Sequence, residues 1–314
     1  MPDSIFQEAL IITVLASTLR GSIPMLLAAL GESYSESSGI LNLGIEGMMV
    51  AGAFSSFLVG LQTDIVPLGI FAAALIGAVM GAFTGLLVIN LRLNQIVVGL
   101  GITISATAFC NLLHRVIFGN QFRILWGAGL TVEIPVLSKI PIIGQALFNQ
   151  HWLVYVSIGL VPALYFILYK TRLGLRIRAV GQKPWAADAS GVDVSRIRYF
   201  SLILAGALAG TGGAFLAVGD LAFFVPGMVQ GRGYIAIVIV MLGQWNPIKV
   251  FLGSLLFGFA LSLTSALQVL GVKVSPDFIL AMPYLVVIVA LILIAKSTSL
   301  PEAFCTPYKR GETL

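Results

Sequence analysis

The side chains able to do chemistry in this chain are few, and most stand alone in apolar surroundings. In "SSGILNLGIEGMMVAGAF", residues 37–54, Asn42 and Glu46 interrupt a small, oily run. A spacing of four would set both on one side of a helix. A carboxylate in hydrocarbon costs roughly 2.5–3.5 kcal/mol on insertion scales, so Glu46 has to face protein or water. There it can bind hydroxyls, pair with a cation or hold a proton. It can equally satisfy backbone groups freed where Gly44 and Gly47 loosen the helix. In that second role its hydrogen bonds matter more than its charge, and Glu46→Gln is expected to retain function. Arg20 and Arg232 are the obvious counter-charges, and Asp220 is a further acid inside an apolar stretch.

Other chemistries find little support. His114 and His151 lack ligand-like spacing, and Cys110 and Cys305 form no CxxC pair, so a metal site is not expected. "GRGYIA", 231–236, matches a dinucleotide pattern but follows no strand. No glycine is followed by lysine, so a Walker-type phosphate loop is absent and the chain is not expected to hydrolyse ATP. Neither a paired acid–base constellation nor HExxH is present, which argues against an enzyme. Phe223, Phe224, Tyr234 and Trp245 can stack on a flat solute, although aromatic residues are common at membrane interfaces.

These residues must be positioned by membrane helices. The 314 residues are 58% hydrophobic and 10% charged, and the mean hydropathy is +1.01. Soluble domains are about 25% charged. The 34 glycines fit close helix packing, and Gly77, Gly81 and Gly85 share one face for it. The net charge of +5 does not point to nucleic acid, because the basic residues collect in loops. The start, "MPDSIFQEAL", has neither the basic residues nor the cleavage site of a removable signal peptide. The expectation is one all-α, polytopic membrane domain over 1–314. Apolar runs at 47–63, 66–89, 93–113, 152–169, 199–219, 250–272 and 278–295 read as spans. A first span near 5–30, broken by Arg20 and Pro24, and a short one near 227–243 bring the expected number to about nine.

Segment 170–198 holds seven Lys and Arg and is expected in the cytoplasm. Alternation then puts Arg92, Lys249, Lys296, Lys309 and Arg310 on the same side, twelve of the 18 basic residues. The N-terminus falls outside. Segment 119–150 is the long external loop, folded on the membrane surface or facing an external partner. Within the basic loop, "PWAADASGVDVSRIRYF" reads as a short helix from Pro184, a turn at Gly191 and a helix re-entering the membrane. A repeat is also hinted at. Residues 39–83 and 227–261 each run from a glycine-broken start through an apolar stretch and a proline turn into a glycine-rich helix. Paired broken segments point to a translocation site.

"SSGILNLGIEGMMVAGAF", "GLRIRAVGQKPWAADASGVDVSRIR", "GRGYIAIVIVMLGQWNPIKVFLGSLLFG" and "AMPYLVVIVALILIAKS", in this order, resemble the permease subunits of bacterial ABC importers. The likeness covers roughly residues 20–296. It is strongest to the nucleoside branch that works with basic-membrane-lipoprotein-type binding proteins, with ribose and branched-chain amino acid permeases more distant. The resemblance implies a multi-pass protein of the bacterial inner membrane. Its partners would be an ATP-binding subunit, which carries ATP and Mg, a second homologous permease chain and an external substrate-binding lipoprotein. It implies no cofactor on this chain. Gly181, Pro184, Ala186, Ala187 and Gly191 would shape the segment that docks on the ATPase, although Gln182 and Trp185 depart from the common pattern. Asn42, Glu46, Arg232 and Phe224 would border the solute path. Rival readings are an ion-coupled carrier using Glu46 and Asp220, or an ABC permease for a sugar or branched-chain amino acid.

Overall fold

The computed structural model describes residues 2–119, 121, 123–125, 131–135, 138, 140, 143–270, 281, 284–286, 288, 289, 292 and 300–309. Helices dominate, as they must where lipid offers the backbone no partner. In chain order they are α1 (Pro2–Ser37), α2 (Ile45–Thr63), α3 (Val66–Gly85), α4 (Gln95–Phe118), α5 (Ile143–Leu147), α6 (Trp152–Lys170) and α7 (Arg172–Gln182). Then follow α8 (Pro184–Ala189), α9 (Val194–Ala214), α10 (Arg232–Gly243) and α11 (Pro247–Val269). Short π-helical segments, Leu86–Asn90 and Phe215–Asp220, extend α3 and α9. Polar caps start the helices: Asn94, Asp193 and Asn246 accept backbone N–H groups at the starts of α4, α9 and α11.

Among the described residues seven helices are long and apolar enough to cross a bilayer, and the chain is a multi-pass membrane protein. The 12-residue α10 is apolar but, at about 1.5 Å per residue, reaches little more than halfway across. The expected crossing at 278–295 lies largely outside the described residues; those of its positions that are described are helical.

One expectation is corrected. The first span is not broken, because α1 runs through Arg20 and Pro24 to Ser37. Pro24 removes one backbone donor, yet the helix continues through it among close neighbours: the Pro24 carbonyl packs on Gly212 of α9, and Thr18 packs on Gly258 of α11. The added turns carry Glu32 and Glu36, both fully buried, into the bundle. The bundle is helical, as expected, and one short hairpin lies beside it. Strands β1 (Thr131–Glu133) and β2 (Asn149–His151) pair antiparallel, with Thr131 opposite His151. They belong to the long loop, which folds back on the bundle: Leu125 is buried, packs on Gly60 and donates its N–H to the Ala222 carbonyl.

A close seam joins α3 and α9. Gly77 lies against Gly206 and Gly210, and Gly81 against the Leu202 carbonyl, so the backbones touch where a side chain would hold them apart. Outside this core the helices present large apolar side chains, Phe71, Val79, Ile104 and Phe166 among them, as a lipid-facing surface should. The polar ends sort by charge. The α1–α2 turn, α7, α8, Arg92 and residues 301–309 gather on one basic face, and the described residues of 119–151 lie at the opposite end.

Candidate functional site

Helix α2 does not start at the basic face. The chain leaves α1 at Ser37, turns at Gly39, whose φ is +89°, and runs non-helically to Gly44. Leu41 is held at the start of α4, where its N–H donates to Gln95 Oε1 at 2.9 Å. Gly47, in the first turn of α2, packs on Thr103. At about 1.5 Å per residue, Thr103 is roughly 12 Å along α4 from Gln95. Helix α10 also starts inside the bundle, after Gly231 at φ +77°.

The two starts meet at Glu46. Its Oε1 accepts the Gly231 N–H at 2.8 Å and its Oε2 the Gly233 N–H at 2.7 Å. Glu46 is 8% exposed. The first N–H groups of a helix have no partner within it, and they carry the positive end of its dipole. A carboxylate placed there contributes about 0.3–1 kcal/mol, and up to about 2 kcal/mol in partly buried geometries. Glu46 therefore satisfies backbone, but that of α10 rather than the groups at Gly44 and Gly47 expected from its neighbours in sequence. The two glycine-broken starts that share a layout are thus joined to each other.

Arg232 follows directly. Its guanidinium Nη1 donates to the Met228 carbonyl at 2.7 Å. Its side chain lines a cavity of 250 Å³ with Ser17, Arg20, Asp220, Ser262 and Ser265, between α1, the end of α9, α10 and α11. Asp220 lies within the electrostatic reach of both arginines and closes an ion pair with neither. The Nε groups of Arg20 and Arg232 are buried with no hydrogen-bond partner among the described residues. The cavity therefore offers guanidinium donors, one carboxylate acceptor and three hydroxyls to a polar guest. A larger groove of 690 Å³ between α2, α3 and α4 is lined mainly by apolar groups such as Phe54, Met80 and Phe109. It can take lipid or an apolar helix but has little to orient a polar solute.

The remaining candidates lie elsewhere. Asn42 precedes α2, so the expected shared face with Glu46 does not form. It is 1% exposed; its Oδ1 accepts the Gly44 N–H at 3.1 Å, and its own N–H donates to Glu32 Oε1 at 2.8 Å. Its polar atoms shape the turn. Phe224 packs edge-on to Phe54 at 5.3 Å between ring centroids and lies 5.4 Å from His114, toward the end of the bundle away from the basic face.

One buried pair escaped the sequence reading. Glu36 Oε2 accepts the Trp245 indole N–H at 2.7 Å, which ties α1 to the α10–α11 turn. Its signal was legible: Glu32 and Glu36 are two acids four apart directly after an apolar run. Helix α10 is consequently held by a carboxylate at each end.

On the basic face, α8 and its flanks form as expected. Pro184 opens the helix, Gly191 closes the turn at φ +84°, and α9 follows from Val194. Pro184 and Ala187 face inward, whereas Ala186, Ala189 and Gly191 are exposed. Gly181 supports the helix from beneath, with its backbone against Ser37. Beside α8 a 320 Å³ cleft is lined by Arg92, Asp188, Asp193 and Lys309, among others.

Known proteins are similar to this chain in sequence. A nucleoside ABC transporter permease of Lactococcus lactis is 36% identical over 92% of this chain and 94% of its own length. A guanosine ABC transporter permease of Bacillus subtilis is 33% identical over 95% and 97%. A putative glucose ABC transporter permease of Haloferax volcanii is 36% identical over 85% and 82%. Residues 14–295 match the family described as branched-chain amino acid transport system, permease component. Permeases of this kind are not enzymes, and ATP hydrolysis belongs to separate subunits. With an intramembrane junction of two helix starts, a polar cavity beside it and relatives along nearly its whole length, this chain belongs to that family of ABC transporter permeases.

Proposed function

We propose that this chain is the permease subunit of an ATP-driven nucleoside importer in the bacterial cytoplasmic membrane, with its basic face in the cytoplasm. The observation that carries the reading is the 250 Å³ cavity of Arg20, Asp220, Arg232 and serines beside the Glu46–α10 junction. Ribose hydroxyls suit the carboxylate and serines, and the carbonyl and ring-nitrogen edge of a base suits the guanidinium groups. The nucleoside and guanosine relatives support the solute class. Arg232 and Glu46 border the path, Asn42 sets the turn below it, and Phe224 belongs to the aromatic cluster near its outer end.

The full assembly has a second homologous permease chain, two ATP-binding subunits that hold ATP and Mg, and an external binding lipoprotein. Helix α8, framed by Gly181, Pro184, Ala186, Ala187 and Gly191, docks on an ATP-binding subunit. Closure of those subunits on ATP moves α8, and the bundle switches as packed rigid bodies between outward- and inward-open states. A sugar is the second reading, favoured by the glucose relative and by hydroxyl chemistry common to both solutes.

The test is uptake into proteoliposomes carrying the complete complex, with labelled guanosine, glucose and leucine offered in turn. Guanosine uptake that requires ATP is expected. Uptake that persists without the ATP-binding subunits would make the chain an ion-coupled carrier. Exclusive uptake of glucose or leucine would replace the solute.

A further inference from the structure

The four motifs that carry the family likeness do not include the segment after residue 300, yet its residues 301–309 are built into the basic face. Ala303 donates its N–H to the Gly181 carbonyl at 3.0 Å, and Cys305 donates to the Gly39 carbonyl at 3.0 Å. Ala303 is 4% exposed. At Gly39 a Cβ would stand 2.9 Å from the Ala303 carbonyl oxygen, and at Gly181 one would overlap the Ser37 carbonyl. Three backbones, the end of α7, the α1–α2 turn and the C-terminal segment, are therefore in direct contact with no side chain between them.

Arg198, 3% exposed and rooted in the second turn of α9, closes the same junction. Its Nε donates to the Ser38 carbonyl and its Nη1 to the Thr306 carbonyl, each at 3.3 Å. Further contacts reach α8 itself. Lys183 and Glu302 lie 3.9 Å apart in an exposed ion pair, and the Trp185 and Tyr308 rings meet edge-on at 5.8 Å. The turn that the segment grips leads through Asn42 to Gly44 and Glu46.

We infer that residues 301–308 and Arg198 form a strap that positions the α7–α8 segment on the α1–α2 turn, so that a displacement of α8 reaches the helix start carrying Glu46. This rests on the reading that α8 docks an ATP-binding subunit. Side-chain contacts across a gap can slip, whereas backbone bonds between touching chains force α8 and the turn to move together or to separate outright. Arg198 adds a second attachment that does not pass through α8. These are positioning groups and touch no solute.

The discriminating quantity is solute carried per ATP hydrolysed, measured in the complete complex in proteoliposomes. Three variants are compared with the parent: a chain ending at Leu300, Arg198→Gln and Ala303→Pro, which deletes one N–H donor. Assembly with the ATP-binding subunits and basal ATP hydrolysis should persist, while solute per ATP falls about fivefold or more, within the usual range of coupling. Arg198→Lys, which keeps the charge but cannot bridge two carbonyls as rigidly, should fall in between. An unchanged ratio in Arg198→Gln and Ala303→Pro would overturn the strap. So would loss of the ATP-binding subunits from a truncated permease that keeps its thermal stability in detergent, since the segment would then be part of the docking surface. If the truncated chain alone unfolds, the two point variants decide. A parent complex without ATP-dependent uptake would instead remove the docking reading beneath the proposal.

Discussion

Glu46 of α2 and Gly233 of α10 meet backbone to backbone. The Gly233 N–H donates to Oε2 at 2.7 Å, and a Cβ on residue 233 would stand 2.7 Å from the Glu46 Cα. The second helix start has therefore been brought as close to the first as the chain allows, and its free N–H groups are spent on a side chain from that first start. The acid is accepted in this setting because it never meets lipid.

Gly233→Ala should be damaging, since the obstructing atoms are backbone and cannot rotate away. Overpacking of this kind costs about 1–3 kcal/mol. Gly159, in α6, would meet nothing within 4 Å, so Gly159→Ala should be neutral or slightly stabilising. Thermal unfolding in detergent compares the two, and equal midpoints would deny the contact.

The geometry reverses the expectation for Glu46→Gln. Both carboxylate oxygens accept backbone N–H groups, whereas an amide has one acceptor and would turn its NH2 toward a donor. Glutamine and alanine should each lose roughly 1–3 kcal/mol of stability. Uptake should fall with both. A Gln variant as stable and active as the parent would contradict the paired acceptor arrangement.

Trp245→Phe keeps an aromatic ring, though a smaller one, and removes the indole donor that Glu36 accepts at 2.7 Å. A buried carboxylate oxygen then loses its partner, at about 1–3 kcal/mol. A lowered unfolding midpoint and slower uptake are expected; unaltered stability would mean that the pair is dispensable.

Gly191 has open space around it but sits at φ +84°, so only its backbone conformation resists substitution. Asparagine tolerates this region and a β-branched residue does not. Gly191→Val should uncouple ATP hydrolysis from loaded binding protein, whereas Gly191→Asn should stay near the parent. Stimulated ATPase activity reads the difference. Equal stimulation in both variants would separate the α8 turn from coupling.

His151 caps α6, accepting the Leu153 N–H on Nδ1 at 3.2 Å, which only a neutral ring can do. Burial lowers its pKa from 6.5 to about 4. Because the folded value is depressed, the stabilisation is fully present above about pH 6.5 and is lost as pH falls toward 4, by roughly 1–3 kcal/mol. His151→Asn keeps an acceptor without titrating. Unfolding midpoints from pH 7 to 4.5 should decline less steeply in that variant, and parallel curves would assign the decline to other groups.

The sequence by itself determined that this is a helical membrane protein, where six of its long spans between residues 45 and 270 lie, and that Pro184 to Gly191 makes a short helix and turn. Those features follow from local composition: apolar length, basic loops, proline and glycine punctuation. Gly77, Gly81 and Gly85 were likewise legible as a packing face, because helical spacing alone aligns them. Partners were not legible. Whether Pro24 breaks a helix depends on what packs beside it, and Gly212 and Gly258 lie in other helices. Asn42 and Glu46 looked like one face because they are four apart, but the helix starts between them once Gln95 and Glu32 have claimed the preceding backbone. The role of Glu46 was decided by Gly231 and Gly233, some 185 residues away along the chain. A buried polar group takes whichever donors the fold brings within about 3 Å, and proximity of that kind is set by helix packing, not by order in the sequence.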